Sequence, residues 1–89
     1  MTAKAYIAAT DDELLVSIGE KLRALREDAG LTQDQAAART GLARSTVSEA
    51  ENGKNPTLHT LVRLLRVYAA LSALEGLMPD PAPRASSRA

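Results

Sequence analysis

The chain has 89 residues, no cysteine, two tyrosines as its only aromatic side chains, and equal numbers of basic and acidic residues. That length allows one small domain near the lower limit at which an apolar core suffices without staples. The missing cysteine excludes a disulfide framework and a thiolate metal site, and a formal charge of zero argues against indiscriminate binding to polyanions, which needs a cationic surface. Leucine and alanine predominate, so intrinsic propensity favours helix and the expected fold class is all-α.

Residues 1–9 carry no helix-start signal and no long apolar run. They predict a flexible arm with Tyr6 and Ile7 as its anchors, and neither a secretory signal nor a membrane span, so a soluble cytoplasmic protein is expected. At Thr10 the pattern changes. Thr10 and Glu13 form a T-x-x-E capping box, Asp11 and Asp12 suit the positive end of a helix, and Leu15, Ile18, Leu22, Leu25 and Ala29 recur at helical spacing up to Gly30. Leu14 and Val16 lie off this stripe and are available to a neighbour.

A second capping box, Thr32 with Gln35, opens the next helix, and Ala36, Ala37 and Thr40 are its inward positions. Gly41 ends it by supplying a positive φ, and Leu42 plugs the turn. The following helix, about residues 44–52, has only Val47 and Ala50 as inward positions; Arg44, Ser45, Ser48, Glu49 and Asn52 make up the rest. So thin an apolar stripe adds little to a core, and such a helix serves to present side chains.

Gly53 and Lys54 form a turn, and Pro56 with Thr57 announces a fourth helix capped by Thr57, with Leu58, Leu61, Leu64, Leu65 and Tyr68 on its apolar side. Leu71, Leu74, Leu77 and Met78 continue the pattern as a short fifth helix, either capped by Ser72 or continuous through Ala69 and Ala70. Five short helices have no room for all these leucines in one core, so these four residues are the expected homodimer interface. Domain boundaries are expected at residues 10 and 78, leaving 79–89, PDPAPRASSRA, as a disordered proline-rich tail in which Arg84 and Arg88 are solvated. His59 is the single histidine. With no second histidine, no cysteine and no carboxylate pair in an evident cleft, no metal, cofactor or enzymatic activity is expected, and His59 reads as a solvated helix residue.

Taken in order, LTQ, the alanine-rich helix with its glycine, the polar RSTVSE and then ENGKNPT resemble the Xre/Cro-type helix-turn-helix family of phage and bacterial repressors, over about residues 18–68. The resemblance implies a five-helix, lambda-repressor-like domain that binds double-stranded operator DNA as a dimer, half-sites about 34 Å apart, with the helix at 44–52 in the major groove. Arg44 then suits guanine O6 and N7, Ser45 and Ser48 suit either kind of base, and Glu49 suits cytosine N4. Gln33, in the first turn of its helix, is the leading phosphate contact together with Thr32, and Asn52, Lys54 and Thr57 are further ones at the next turn. The family also implies a partly buried ion pair between Arg26, at the end of the first helix, and Glu51 of the E-N-G motif.

Two positions depart from the family pattern. Ala43 stands where a serine or threonine usually caps the recognition helix, which makes Ser45 the alternative cap. Glu49 stands where a basic or large polar residue is common, and it repels phosphate. Charge is modestly polarised: residues 1–31 hold four basic against six acidic residues, and residues 32–68 hold five against three. The expected function is therefore a DNA-binding regulator, most simply a nucleoid-associated repressor. A second expectation comes from residues 58–83, where the leucine-rich fifth helix and the proline-rich tail look similar to small HipB-like antitoxins, which bind operator DNA and also hold a HipA-like toxin kinase.

Overall fold

The computed structural model describes residues 7–78, 80 and 81, so Tyr6, Arg84, Arg88 and most of the expected arm and tail lie outside the described residues. Among the described residues five helices are bounded: α1 Asp11–Asp28, α2 Gln33–Thr40, α3 Arg44–Glu51, α4 Leu58–Val67 and α5 Ala73–Leu77. Ile7 and Ala8 are also helical, and Ile7 is 86% exposed, so it does not anchor the arm as expected. No helix among the described residues is long and apolar enough to cross a membrane.

Both capping boxes form. Glu13 N donates to Thr10 Oγ1 at 3.1 Å while Thr10 N donates back to Glu13 Oε1 at 2.9 Å; hydrogen bonding from Thr10, its backbone N–H foremost, holds the Glu13 carboxyl below its usual range. Thr32 and Gln35 repeat the arrangement at the start of α2, with distances of 3.1 and 2.9 Å. Each box satisfies two N–H groups that a helix start leaves without partners. Gly41 follows α2 at φ 75°, in the left-handed region, where a Cβ would meet the neighbouring carbonyl. Thr40 closes the same turn from inside: its hydroxyl donates to Ala36 O at 2.7 Å and accepts from Leu42 N at 3.2 Å.

The core consists of Leu22 from α1, Leu31, Ala36 and Ala37 around α2, Val47 and Ala50 from α3, and Leu64, Leu65 and Tyr68 at α4, with Val47 and Leu64 fully enclosed. Alanines carry much of this list because α1 and α2 both lie close against α3, and small side chains permit that approach. Two stripe positions differ from expectation. Ala29 is exposed because it is the C-cap of α1, already beyond the packed turns. Leu58 is 72% exposed because it opens α4, one turn ahead of Leu61, Leu64 and Leu65, which meet the core.

α4 and α5 are not continuous. Ala69 takes φ 55°, and Ala70 N bonds back to Leu65 O at 2.7 Å, a left-handed helix stop built without the usual glycine. Ser72 does occupy the cap position of α5, but its side chain makes no capping bond. Leu71 and Leu74 lean on the core, whereas Leu77 and Met78 are 54% and 74% exposed.

Candidate nucleic-acid interface

α3 is a helix with two unequal sides. Val47, Ala50 and Glu51 are buried, Arg44, Ser45, Glu49 and Asn52 are exposed, and Thr46 and Ser48 lie between. The exposed residues fall at i, i+1, i+5 and i+8, which is one face of a helix. The four residues expected to read bases are therefore brought together, on the side opposite the core. α3 starts at Arg44 with Ala43 as its N-cap and no side-chain capping bond, so the alternative start at Ser45 is not taken.

The other end of α3 is tied down firmly. Arg26 Nε donates to Glu51 Oε2 at 2.6 Å, Arg26 Nη2 to Glu51 Oε1 at 3.1 Å, and Arg26 Nη1 to the carbonyl of Leu31 at 2.8 Å. Both residues are only 8% exposed. Its bonds to the Glu51 carboxylate hold the Arg26 guanidinium protonated more firmly than usual, against the effect of burial. One ion pair thus joins the end of α1, the loop into α2 and the last residue of α3. Removing either member strands a buried charge, at a cost of about 3–5 kcal/mol.

Gln33 completes this cluster. Its Nε2 donates to Glu51 Oε1 at 3.1 Å, so the residue expected to hold phosphate spends part of its amide on the ion pair. Tyr68 lies against the same charges. Burial, and then the Glu51 carboxylate, push its pKa up to about 12, with Arg26 opposing, and its hydroxyl has no hydrogen-bond partner among the described residues.

The remaining phosphate candidates flank α3. Thr32 is exposed, and its hydroxyl oxygen serves the cap of α2. Asn52 and Lys54 are exposed at the turn after α3, where Asn52 Nδ2 reaches Ser48 Oγ at 3.5 Å and Lys54 N bonds to Glu49 O at 3.0 Å. Thr57 caps α4 by accepting from Thr60 N at 3.0 Å. The Thr32 and Thr57 side chains therefore hold helix ends in place while remaining at the surface.

Three contributors escaped the sequence reading. Gly19, buried in the middle of α1, faces the C-terminal end of α3 so closely that a Cβ there would sit 2.5 Å from Glu51 O and 2.7 Å from Ala50 O. Asp34 pairs with Arg44, Oδ1 to Nε 3.2 Å, with side chains 77% and 66% exposed. In water such a pair is worth no more than about 1 kcal/mol, so it restrains Arg44 without locking it. Arg63 of α4 donates through Nη1 to the carbonyl of Thr40, the last residue of α2. A helical glycine between Ile18 and Glu20 was the single available sign of the first; the other two join residues that only the fold brings together.

Two short helices, a left-handed glycine between them and a polar second helix held from behind define a helix-turn-helix domain. The family model described as "Helix-turn-helix domain" matches residues 17–75, more than half of the chain, and the chain belongs to this DNA-binding family. Among curated proteins it is 41% identical over 51 residues to the HTH-type transcriptional regulator PuuR of Escherichia coli (strain K12), and equally to that of Shigella flexneri. The aligned stretch is 56% of this chain and 28% of each relative, so the chain spans less than a third of their length.

Proposed function

We propose that the chain is a sequence-specific transcription regulator, most simply a repressor, that reads an operator as a homodimer through α3. The observation that carries this reading is the division of α3: its inner side is clamped by Glu51 on Arg26, and its outer side offers Arg44, Ser45 and Glu49 exposed, with Ser48 half-buried beside them. A major groove admits one helix with short polar side chains forward, and phosphate contacts from Thr32, Gln33, Asn52, Lys54 and Thr57 would set its register. The relatives' description as transcriptional regulators supports the regulatory half of the reading.

The homodimer is supported by apolar surface at one end of the molecule. Leu77 is half exposed and borders an apolar groove of about 300 Å³ that Ile18, Leu25, Leu61 and Leu65 also line. Met78 adjoins it. Of the four residues expected at this interface, Leu77 and Met78 remain available, since Leu71 and Leu74 already lean on the core. In the antitoxin alternative the same end would hold a toxin kinase.

The test is selection of DNA fragments from a random pool, followed by fluorescence anisotropy on the selected sequence. Arg44→Ala is expected to weaken specific binding at least about tenfold, the scale of one lost bidentate base contact, with an unchanged helical circular dichroism spectrum. Wild-type affinity in that variant would mean that α3 is not the reading element.

A further inference from the structure

α4 carries a second polar stripe, unrelated to the reading face. His59, Arg63 and Arg66 follow one another at helical spacing, and with Arg39 from the last turn of α2 they border a concavity of about 380 Å³. Val62 and Val67 supply its apolar wall. Among the described residues, none of Arg44, Ser45, Ser48 and Glu49 lines it, and neither does any carboxylate. Among the described residues no acidic side chain lies within ion-pair distance of Arg39, Arg63 or Arg66. Arg63 is partly engaged, donating through Nη1 to Thr40 O and through Nε to His59 Nε2 at 3.3 Å. The negative end of α2 offsets part of the charge on Arg39. The end of α4 does the same for Arg66, which lies in its last turn, and three guanidinium groups gathered at one hollow still favour an anion between them.

We propose that this hollow binds a phosphate-bearing small molecule, with Arg39 and Arg66 as its principal donors and Arg63 as a third. Guanidinium forks match the oxygens of phosphate in pairs, and a ligand with two or more negative charges is what three cations call for. The volume lies at the lower end of small-molecule sites, and the two valines give such a ligand an apolar surface to rest on. A hollow suits a compact ligand better than the continuous strand of a duplex. Its position has a consequence: a ligand that draws Arg63 towards itself pulls on the carbonyl just before Gly41, the joint that sets α3.

The test is titration of the full, isotope-labelled chain with inorganic pyrophosphate at about 150 mM salt, where weak surface attraction is screened, read by amide and arginine side-chain resonances. Saturable shifts confined to Arg39, Thr40, Val62, Arg63 and Arg66, with Kd below about 1 mM, are expected. The double variant Arg39→Ala, Arg66→Ala, both exposed positions, should lose at least tenfold in affinity while keeping its unfolding midpoint. Shifts that never saturate, that spread to Arg23 and Arg44, or that persist in the double variant overturn the proposal. A parallel titration with a short random-sequence duplex separates the two sources of phosphate: if the duplex shifts these resonances and pyrophosphate does not, the hollow follows the DNA backbone and the small-ligand site is wrong.

Discussion

Tyr68 brings an aromatic ring to the core and a hydroxyl that finds no hydrogen-bond partner among the described residues. A buried hydroxyl without a partner costs about 1–3 kcal/mol, so Tyr68→Phe is expected to leave the fold intact and raise stability in urea by roughly 1 kcal/mol; a clear loss would reveal a partner for the oxygen. The same residue sets an alkaline limit. Its pKa is about 12 in the folded chain and about 10 when unfolded, so above pH 10 the unfolded chain binds fewer protons and stability falls as pH rises. The decline continues to about pH 12 and should be shallower in Tyr68→Phe, as urea midpoints at a series of pH values would show. Arg44 supplies a second prediction at this scale. Asp34 pairs with its guanidinium; on the proposed reading it therefore competes with DNA for Arg44 and repels phosphate from the start of α2, so Asp34→Asn is expected to tighten operator binding several-fold and to steepen its salt dependence. Unchanged affinity and slope in an anisotropy titration would show that Arg44 stays on Asp34 in the complex or takes no part in it.

Among the elements, what could be read from the sequence was what neighbouring residues decide among themselves. Thr10 with Glu13 and Thr32 with Gln35 announce helix starts because both bonds of a capping box are local, and Gly41 announces a stop for the same reason. Gly19 was legible as a glycine but not as a necessity, since the carbonyls it admits belong to α3, more than thirty positions away. Gly19→Ala, which by helix propensity alone should stabilise α1, is therefore expected to destabilise the domain by about 1–3 kcal/mol through overpacking, measured by thermal or urea unfolding. A gain in stability would mean that α1 and α3 stand further apart than described. Leu58 errs in the opposite direction: periodicity placed it on the apolar side of α4, and only the position of the core shows that the stripe outruns its neighbours. The ion pair between Arg26 and Glu51 was legible through family resemblance, whereas the share of Gln33 in it was not.

For the whole molecule, the question is how a chain with no excess positive charge gains affinity for DNA. Two copies joined through Leu77 and Met78 would double the phosphate contacts without raising the charge of either. Sedimentation at micromolar concentration should then show a dimer, and Leu77→Glu should give a monomer with unaltered helix content and much weaker operator binding. A wild-type chain that sediments as a monomer while still binding operator tightly would remove the homodimer from the reading. The division within α3 has a further consequence. Because Arg26 and Glu51 grip the helix by its tail and Val47 seats its middle in the core, its exposed side chains can be rewritten without weakening its mounting. On the proposed reading, stability and target choice reside in separate sets of residues, so exchanging Arg44, Ser45, Ser48 or Glu49 for other polar side chains is expected to give new operator preferences on the same scaffold. In this arrangement a single small domain is free to diversify by changing what it reads while conserving how it stands.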